Sequence, residues 1–198
     1  METQNPHLRV ALADNDAKER VAVKNMLQAL GHHVVAEASN GAQLVETVAE
    51  TKPDLVVTDM QMPLLNGLQA ADAIAEREPT PVVVISASHA PNNVAQALQR
   101  SNVLGYLVKP IASGMLDGAI RLAYGLFGRF RGLELKLSSL QQTLEDRKTI
   151  EKAKGVLMKY FTIDEPEAHR RLQKMASAKN HKLIDLAKTI LTKGIEDS

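Results

Sequence analysis

DLVVTD at residues 54–59 and PVVVISA at 81–87 are the stretches that decide the fold. Each is a short, nearly unbroken run of apolar residues with a polar residue at or near its end. Three similar runs, LRVALA at 8–13, HVVAEA at 33–38 and LGYLVK at 104–109, are separated from them by segments with helical spacing of apolar residues. Strands that alternate with helices predict a parallel α/β sheet, and runs without polar alternation are typical of strands covered on both faces.

Chemically useful side chains follow four of these runs. In open parallel sheets the chemistry lies beyond the carboxyl ends of the strands, so these side chains are expected to meet at one edge. Carboxylates at such an edge suit a hard cation such as Mg²⁺, which prefers one or two carboxylates together with water and phosphate oxygens. The residues are Asp14, Asn15 and Asp16 after the first run, Asp59 at the end of the third, Ser86 at the end of the fourth and Lys109 at the end of the fifth.

Over residues 7–125 the chain resembles the receiver domain of two-component response regulators. The resemblance rests on DMQMPLLNG at 59–67, on Ser-Ala at 86–87, on Tyr106 and on Lys-Pro at 109–110. It implies a flavodoxin-like (βα)5 fold with a parallel sheet. It also implies a sensor histidine kinase as the partner that supplies the phosphoryl group.

The resemblance assigns roles around the phosphoryl group. Asp59 would be the phosphoacceptor, a carboxylate nucleophile that forms an acyl phosphate. Lys109 and Ser86 would bind the phosphoryl oxygens. Tyr106 matches the aromatic residue that the family rotates inward as a switch, although a half-buried packing role explains it equally well. The peptide bond between Lys109 and Pro110 is expected to be cis, because such bonds occur before proline.

The implied Mg²⁺ site departs from the family at one position. Asp14, Asp59 and the backbone carbonyl of Gln61 match the family, but the second acidic ligand after the first strand is Asn15 here, and the next acid is Asp16. An amide oxygen can bind a metal, but it lacks the charge that favours Mg²⁺. Two alternatives follow. Either Asp59 is phosphorylated slowly or only at high Mg²⁺ concentration, or the domain is a phosphorylation-independent pseudo-receiver.

A heptad pattern follows the fifth strand. Apolar residues recur at alternating intervals of three and four, which predicts a coiled-coil seam in a long helix at 113–145. Gly125, Gly128 and Gly132 each weaken this helix by about 1 kcal/mol relative to Ala, which favours a kink or hinge there. We expect a homodimer through the seam; the alternative is one helix that packs on its own chain. The seam residues are Leu116, Ala119, Ala123, Leu126, Phe130, Leu133, Leu137, Leu140 and Leu144.

Residues 146–191, DRKTIEKAKGVLMKYFTIDEPEAHRRLQKMASAKNHKLIDLAKTIL, have the pattern of a basic helical module. The acidic turn TIDEPE at 162–167 divides it, because Asp164 can cap a new helix and Pro166 is tolerated in a first turn. A third helix is expected to begin near Asn180 or the histidine after it. The module therefore has three helices, of which the first continues from the long seam helix.

The order AKGVLM, acidic turn, EAHRRLQKMA and LAKTIL resembles the ANTAR domain, a small RNA-binding antitermination module. The resemblance implies binding to paired RNA stem-loops in leader transcripts and relief of transcription termination. The plain alternative is that the basic face is only a solvated surface. The candidate RNA-binding residues are Arg147, Lys148, Lys152, Lys154, Arg170, Arg171, Lys174 and Lys182.

Charge is divided unevenly along the chain. Residues 1–120 hold 8 basic and 13 acidic residues, a net charge of −5, and residues 121–198 hold 16 and 10, a net charge of +6. An acidic first part suits a cation and a phosphoryl donor, whereas a basic second part suits a polyanion. With three Phe, three Tyr and no Trp, base recognition by aromatic stacking has little support from composition.

These patterns predict a phosphorylation-regulated response regulator that binds RNA stem-loops and acts as a transcription antiterminator. Its domains are a receiver at 1–125, a coiled-coil linker at 113–145 and an ANTAR domain at 146–198. A DNA-binding response regulator is the second class, but the acidic TIDEPE connector is poorly suited to lie beside phosphate. An enzyme is not expected. Asp14 to Asp16 resemble the DxD motif of haloacid-dehalogenase-like phosphatases, which need Thr or Val where this chain has Lys18.

The expected location is the cytoplasm. The N-terminal sequence METQNPHLRV lacks the basic segment and the long apolar core of a signal peptide, and no apolar run is long enough to cross a bilayer. The absence of cysteine fits a reducing compartment. No membrane partner is therefore expected.

Overall fold

A computed structural model describes residues 7–87 and 91–195, with the backbone alone at 91 and 92. The residues 1–6 on which the signal-peptide expectation partly rests lie outside these ranges. Within the described ranges the chain forms five strands and seven helices. The strands are β1 (Arg9–Ala13), β2 (His33–Ala38), β3 (Leu55–Asp59), β4 (Val82–Ser86) and β5 (Val103–Val108); the helices are α1 (Ala17–Ala29), α2 (Gly41–Thr51), α3 (Gly67–Arg77), α4 (Pro91–Leu98), α5 (Ser113–Phe161), α6 (Glu165–Ala178) and α7 (Leu183–Lys193).

The five strands form one parallel sheet in the order β2-β1-β3-β4-β5. This is the flavodoxin-like order that the sequence predicts, and it is confirmed. From β1 the chain adds β2 on one side and then returns to add β3 on the other side, so the order of addition reverses between β1 and β3. In such folds ligands bind outside the carboxyl ends of the strands at this point. The order therefore places the ends of β1 and β3 side by side.

Two apolar cores cover the two faces of the sheet, because successive side chains of a strand point to opposite faces. On β3, Val56 packs in the core beneath α2 and α3, whereas Leu55 and Val57 pack in the core beneath α1 and α5. All five residues of β3 are buried. The sheet is thus covered on both sides, as its continuous Val and Ile runs predict.

Helix α5 has a buried beginning and an exposed continuation. Leu116, Ile120 and Ala123 are fully buried in the core beneath the sheet. The expectation that the whole heptad pattern forms one seam is therefore wrong for its first part, because the same three-and-four spacing serves packing on the sheet. From Phe130 onward the apolar seam residues are exposed; they are Phe130, Leu133, Leu137, Leu140 and Leu144.

The helical structure of α5 continues through Gly125, Gly128 and Gly132, and the kink or hinge expected there stays a prediction. The contacts divide the chain into two compact units, Met1–Arg131 and Gly132–Ser198. In the part of the chain that the structure describes, we find no helix that is long and apolar enough to cross a membrane.

The second unit is a three-helix module around a small core. The end of α5 contributes Ala153 and Leu157, α6 contributes residues such as Leu172, and α7 contributes residues such as Ile190. Asp164 caps α6 through its side chain, and Pro166 lies in the first turn, as predicted. The third helix begins at Leu183, shortly after the predicted start near Asn180 or His181, and the left-handed backbone at Asn180, with φ at 54°, separates it from the preceding helix.

Candidate phosphoacceptor site and nucleic-acid interface

The ends of three strands meet at one lysine. The Nζ atom of Lys109, which follows β5, lies 2.6 Å from Oδ1 of Asp59 at the end of β3 and 3.2 Å from Oδ2 of Asp14 after β1. It also contacts the carboxylate of Glu19 in the first turn of α1. Only 7% of the Asp59 side chain and 3% of the Asp14 side chain are exposed. The fold therefore brings together three of the residues that the strand ends predict, Asp14, Asp59 and Lys109, and it adds a third carboxylate.

The loop after β3 orients the carboxylate of Asp59. The backbone N–H of Gln61 donates a hydrogen bond of 2.7 Å to Oδ2 of Asp59, so the two carboxylate oxygens have different partners. The same loop folds back so closely that a Cβ atom at Gly67 would lie 2.2 Å from the carbonyl oxygen of Asp59. Glycine at position 67 is thus a condition for this loop geometry.

Burial and charge act in opposite directions on Asp14 and Lys109. Burial raises the pKa of the Asp14 carboxyl, and this outweighs the hydrogen bonds that the carboxylate accepts from the Asp16 N–H and from Lys109. Burial also disfavours the ammonium of Lys109, but its hydrogen bonds to Asp59 and Glu19 outweigh burial and raise its pKa above the usual value. Lys109 therefore stays charged at neutral pH.

Asp14, Glu19 and Asp59 are the residues of this edge that fit a divalent cation. Their carboxylate oxygens lie within 4.8 Å of one another. Three carboxylates against one ammonium leave an excess of negative charge, and carboxylate oxygens are the protein ligands that Mg²⁺ prefers. Glu19 did not emerge from the sequence. The available signal was the capping residue Asp16, because a cap fixes where the first turn of α1 lies and thus which side chains face the strand ends.

An open cleft of about 700 Å³ lies beside the loop that follows Asp59. Its rim is uncharged, because carboxamide side chains line most of it. Met60, Met62 and Pro63 complete the lining. The carboxamides belong to Asn15, Gln61, Asn66, Asn93 and Gln96.

In the second unit a buried lysine joins two helices. Lys154 on α5 has an 8% exposed side chain, and its Nζ lies 2.8 Å from Glu151 and 2.7 Å from Glu165 at the start of α6. Phe161 at the end of α5 carries the guanidinium of Arg171 over its ring at 3.6 Å. These two contacts hold α6 against the end of α5, one at the first residue of α6 and one near its middle.

Comparisons with known proteins agree with both units. Residues 10–121 match the response regulator receiver domain family, and residues 138–191 match the ANTAR domain family. The chain is 33% identical over 183 residues to the transcriptional regulatory protein PdtaR of Mycobacterium tuberculosis, and the match covers 92% of this chain and 89% of PdtaR. The chain belongs to the response regulators with an ANTAR domain.

Solved structures resemble the receiver of this response regulator. The receiver domain of the putative response regulator NarL of Mycobacterium tuberculosis superposes with a TM-score of 0.57 at 32% identity, over 61% of this chain and 98% of that one. The complex of CheX with CheY, BeF3 and Mg from Borrelia burgdorferi superposes with a TM-score of 0.54 at 20% identity, over 57% of this chain and 85% of that one. The second likeness concerns the fold alone.

Two further residues that the sequence predicts at the acidic edge, Asn15 and Asp16, follow β1. Asn15 is exposed and lies at the rim of the cleft. Asp16 caps α1, and its Oδ1 accepts hydrogen bonds from the N–H groups of Lys18 and Glu19. Its carboxylate is therefore engaged at the helix start and does not replace the charge that Asn15 lacks.

Ser86 and Tyr106 lie on the two strands at the far side of the site. Ser86 is buried at the end of β4, where its carbonyl accepts a hydrogen bond of 2.9 Å from the N–H of Lys109. Tyr106 is half-buried, and its hydroxyl lies 3.8 Å from Sδ of Met60, the residue after Asp59. The bond between Lys109 and Pro110 is cis, as expected.

The eight basic candidates of the ANTAR domain differ in exposure and pairing. Lys154 is buried against two carboxylates, so its position does not favour a contact with RNA. Lys148 and Arg170 are exposed but form ion pairs of 2.8 Å with Glu145 and Glu167. The other five are exposed, and among the residues that the structure describes none has a carboxylate within 4 Å; they are Arg147, Lys152, Arg171, Lys174 and Lys182.

Proposed function

We propose that this response regulator is switched by phosphorylation of Asp59 and that its ANTAR domain binds RNA stem-loops in leader transcripts to prevent transcription termination. One observation carries the proposal. The buried carboxylate of Asp59 lies between the ammonium of Lys109 and the N–H of Gln61, in a chain that also holds an ANTAR domain. A sensor histidine kinase is the proposed phosphodonor, and the cytoplasm is the proposed location.

The proposed chemistry is phosphoryl transfer to a carboxylate. An oxygen of Asp59 attacks the phosphorus of a phosphohistidine; the new O–P bond forms as the P–N bond breaks, and the histidine nitrogen leaves with its electron pair. The charged Lys109 then pairs with phosphoryl oxygens instead of the bare carboxylate. Ser86, at the end of the neighbouring strand, is placed to donate its hydroxyl to the same group.

The fit of the acidic edge supports Mg²⁺ as the cofactor. Asp14 and Asp59 would hold the ion, and Glu19 offers a third carboxylate. When bound, the ion neutralises the negative charge that the phosphoryl group brings to this edge. The proposed contributions of Asn15 and of the Gln61 carbonyl rest on their position beside the cleft.

The unpaired cations of the ANTAR domain support RNA as the bound polyanion. A lysine or arginine without a carboxylate partner loses no ion pair when it contacts phosphate. Each phosphate contact should add about one unit to the slope of the logarithm of affinity against the logarithm of salt concentration. The exposed apolar stripe from Phe130 to Leu144 supports a homodimer, because five large side chains repeat at coiled-coil spacing and remain in solvent.

Two measurements on the full chain test the proposal. Incubation with acetyl phosphate and Mg²⁺, followed by intact mass, should add one phosphate to the wild type and none to Asp59→Asn. Filter binding should show that the phosphorylated chain binds an RNA hairpin more tightly than the unmodified chain and more tightly than the matched DNA hairpin. Tighter binding to the DNA hairpin would favour a DNA-binding regulator instead.

A second function is favoured by Asn15, which lacks the charge that favours Mg²⁺, and by the ion pair that already joins Lys109 to Asp59. In this alternative the receiver is a phosphorylation-independent pseudo-receiver, and the ANTAR domain binds RNA without a signal at Asp59. No added phosphate at any Mg²⁺ concentration, together with RNA binding that is equal in the wild type and Asp59→Asn, would support this alternative over the first.

A further inference from the structure

Gly155 occupies an open position within the last part of α5. A Cβ atom there would meet no heavy atom within 4 Å, in contrast to Gly67, where the Asp59 carbonyl would lie at 2.2 Å. Apart from proline, glycine is the least favourable residue for a helix interior, because its backbone loses the most conformational entropy on folding. Packing among the described residues therefore does not explain glycine at position 155.

Two of the four neighbours of Gly155 on the helix surface are lysines. Residues three and four positions away are neighbours on a helix, and here they include Lys152 before and Lys159 after the glycine. Both are exposed, and neither has a carboxylate within 4 Å among the residues that the structure describes. The one acidic neighbour, Glu151, lies 2.8 Å from Nζ of Lys154, so a buried ammonium already neutralises it.

We infer that Gly155 is the point at which the sugar-phosphate backbone of bound RNA crosses α5, with Lys152 and Lys159 in contact with phosphates on its two sides. The inference rests on the proposed RNA binding of this domain. A missing Cβ lets a ligand backbone approach the helix main chain, where Cα–H···O contacts become possible. The two lysines are about 10 Å apart along the helix axis, so they reach different phosphates.

Open space alone does not define this position, because several glycines on the earlier part of α5 are open as well. Gly118 is one of them, and a Cβ there would also meet nothing within 4 Å. The basic residue nearest to it on the helix, Arg121, forms an ion pair of 2.8 Å with Asp117. Gly118 therefore serves as a matched control. The substitution and the helix are the same, but no two unpaired basic residues flank this glycine.

The test compares Gly155→Ala with Gly118→Ala in the full chain. The probe is the hairpin that the wild type enriches from a library of RNA hairpins with randomised short loops. Both substitutions should leave the thermal midpoint unchanged or higher, because alanine favours the helix. Gly155→Ala should bind the hairpin roughly tenfold more weakly, the loss that one base or phosphate contact supports, whereas Gly118→Ala should bind like the wild type.

Three other outcomes separate the possibilities. Unchanged binding by Gly155→Ala and by the bulkier Gly155→Leu, while Lys152→Ala binds more weakly, would overturn the crossing point but keep the proposed function. A lower thermal midpoint for Gly155→Ala would also overturn it, since the glycine would then have a structural role. A wild-type chain that enriches no hairpin would remove the proposed function itself.

Discussion

The Nζ atom of Lys109 lies 2.6 Å from Oδ1 of Asp59, and this ion pair joins the ends of two strands, β5 and β3, that are separated by β4. The same ammonium lies 3.2 Å from Asp14, beyond the end of β1. One lysine therefore pairs with two buried carboxylates from different strands. The charge balance of this edge depends on that single side chain, and several expectations follow from it and from the ANTAR domain.

We expect Asp14→Asn to stabilise the receiver near neutral pH and to weaken Mg²⁺ binding. Burial raises the pKa of Asp14, so its contribution to stability is full below the unfolded pKa and is lost as pH rises through the folded pKa. An amide does not ionise and should raise the free energy of unfolding by about 1 kcal/mol near pH 7. Urea denaturation of the full chain measures this change.

Asp16→Asn is the control for that experiment, and its effect should have the opposite sign. Hydrogen bonds from the N–H groups of Glu19 and Lys18 lower the pKa of Asp16, so this carboxylate stabilises the fold above its unfolded pKa. Asparagine still caps the helix, so only a small loss of stability is expected near neutral pH. Stabilisation by both substitutions would contradict the assigned causes.

We expect the receiver to lose stability as pH falls below the ordinary pKa of histidine, because of His32. Burial lowers the pKa of His32, despite the nearby Asp117, and its Nε2 atom is buried without a hydrogen-bond partner among the described residues. The unfolded chain therefore binds a proton that the folded chain does not. The free energy of unfolding should then fall by at most about 1.4 kcal/mol for each pH unit. His32→Leu should flatten this dependence of stability on pH, and an unchanged dependence would contradict the assignment to His32.

We expect Lys154→Met and Lys152→Met to have different effects. Lys154 is buried between Glu151 and Glu165, so its loss should destabilise the ANTAR domain, by about 1 kcal/mol, because two carboxylates lose their partner. Lys152 is exposed and unpaired among the described residues, so its loss should leave stability unchanged and lower the salt slope of RNA binding by about one unit. Thermal unfolding and filter binding at several salt concentrations distinguish the two roles.

We expect Thr162→Gly to stabilise the ANTAR domain. Thr162 has φ at 54°, in the left-handed region, where a β-branched residue is strained. Removal of the side chain should relieve roughly 1 kcal/mol of this strain. Asn180→Gly is the control, because Asn180 has the same φ but belongs to a residue type that tolerates it, and its substitution should change the thermal midpoint little.

We expect Leu137→Asp to convert the proposed dimer to a monomer. Leu137 lies in the exposed apolar stripe, where 59% of the residue is in solvent, and a carboxylate there would have to be buried in a paired seam. Light scattering after size-exclusion chromatography gives the mass. Ser138→Asp, at an exposed position that faces away from the seam, should leave the mass unchanged, and a monomeric wild type would remove the dimer from the proposal.

The sequence was sufficient to predict the sheet and the meeting of Asp59 with Lys109, because apolar runs set the strands and parallel order brings their carboxyl ends to one edge. Glu19 was not predictable in the same way, because its place at that edge depends on how the cap at Asp16 rotates the first turn of α1. The burial of Lys154 depends on Glu165, which belongs to another helix and has no fixed spacing in the sequence.

The heptad pattern shows a different limit. Apolar residues at intervals of three and four are needed both for a helix on a sheet and for a helix in a coiled coil. Leu116 and Ala123 use this spacing to pack beneath the sheet, whereas Leu133 and Leu140 remain in solvent. Only the tertiary structure separates these two uses of one pattern.

All five residues of β3 are buried, with Val56 in one core and Leu55 and Val57 in the other. A strand fixed from both faces at close packing has no room to move as a unit without loss of both cores. If Asp59 is phosphorylated as we propose, β3 would stay in place, and the response would come from the side chains and loops beyond the strand ends. Substitutions that weaken the packing of β3 should accordingly lower the stability of the receiver rather than change its proposed response to phosphorylation.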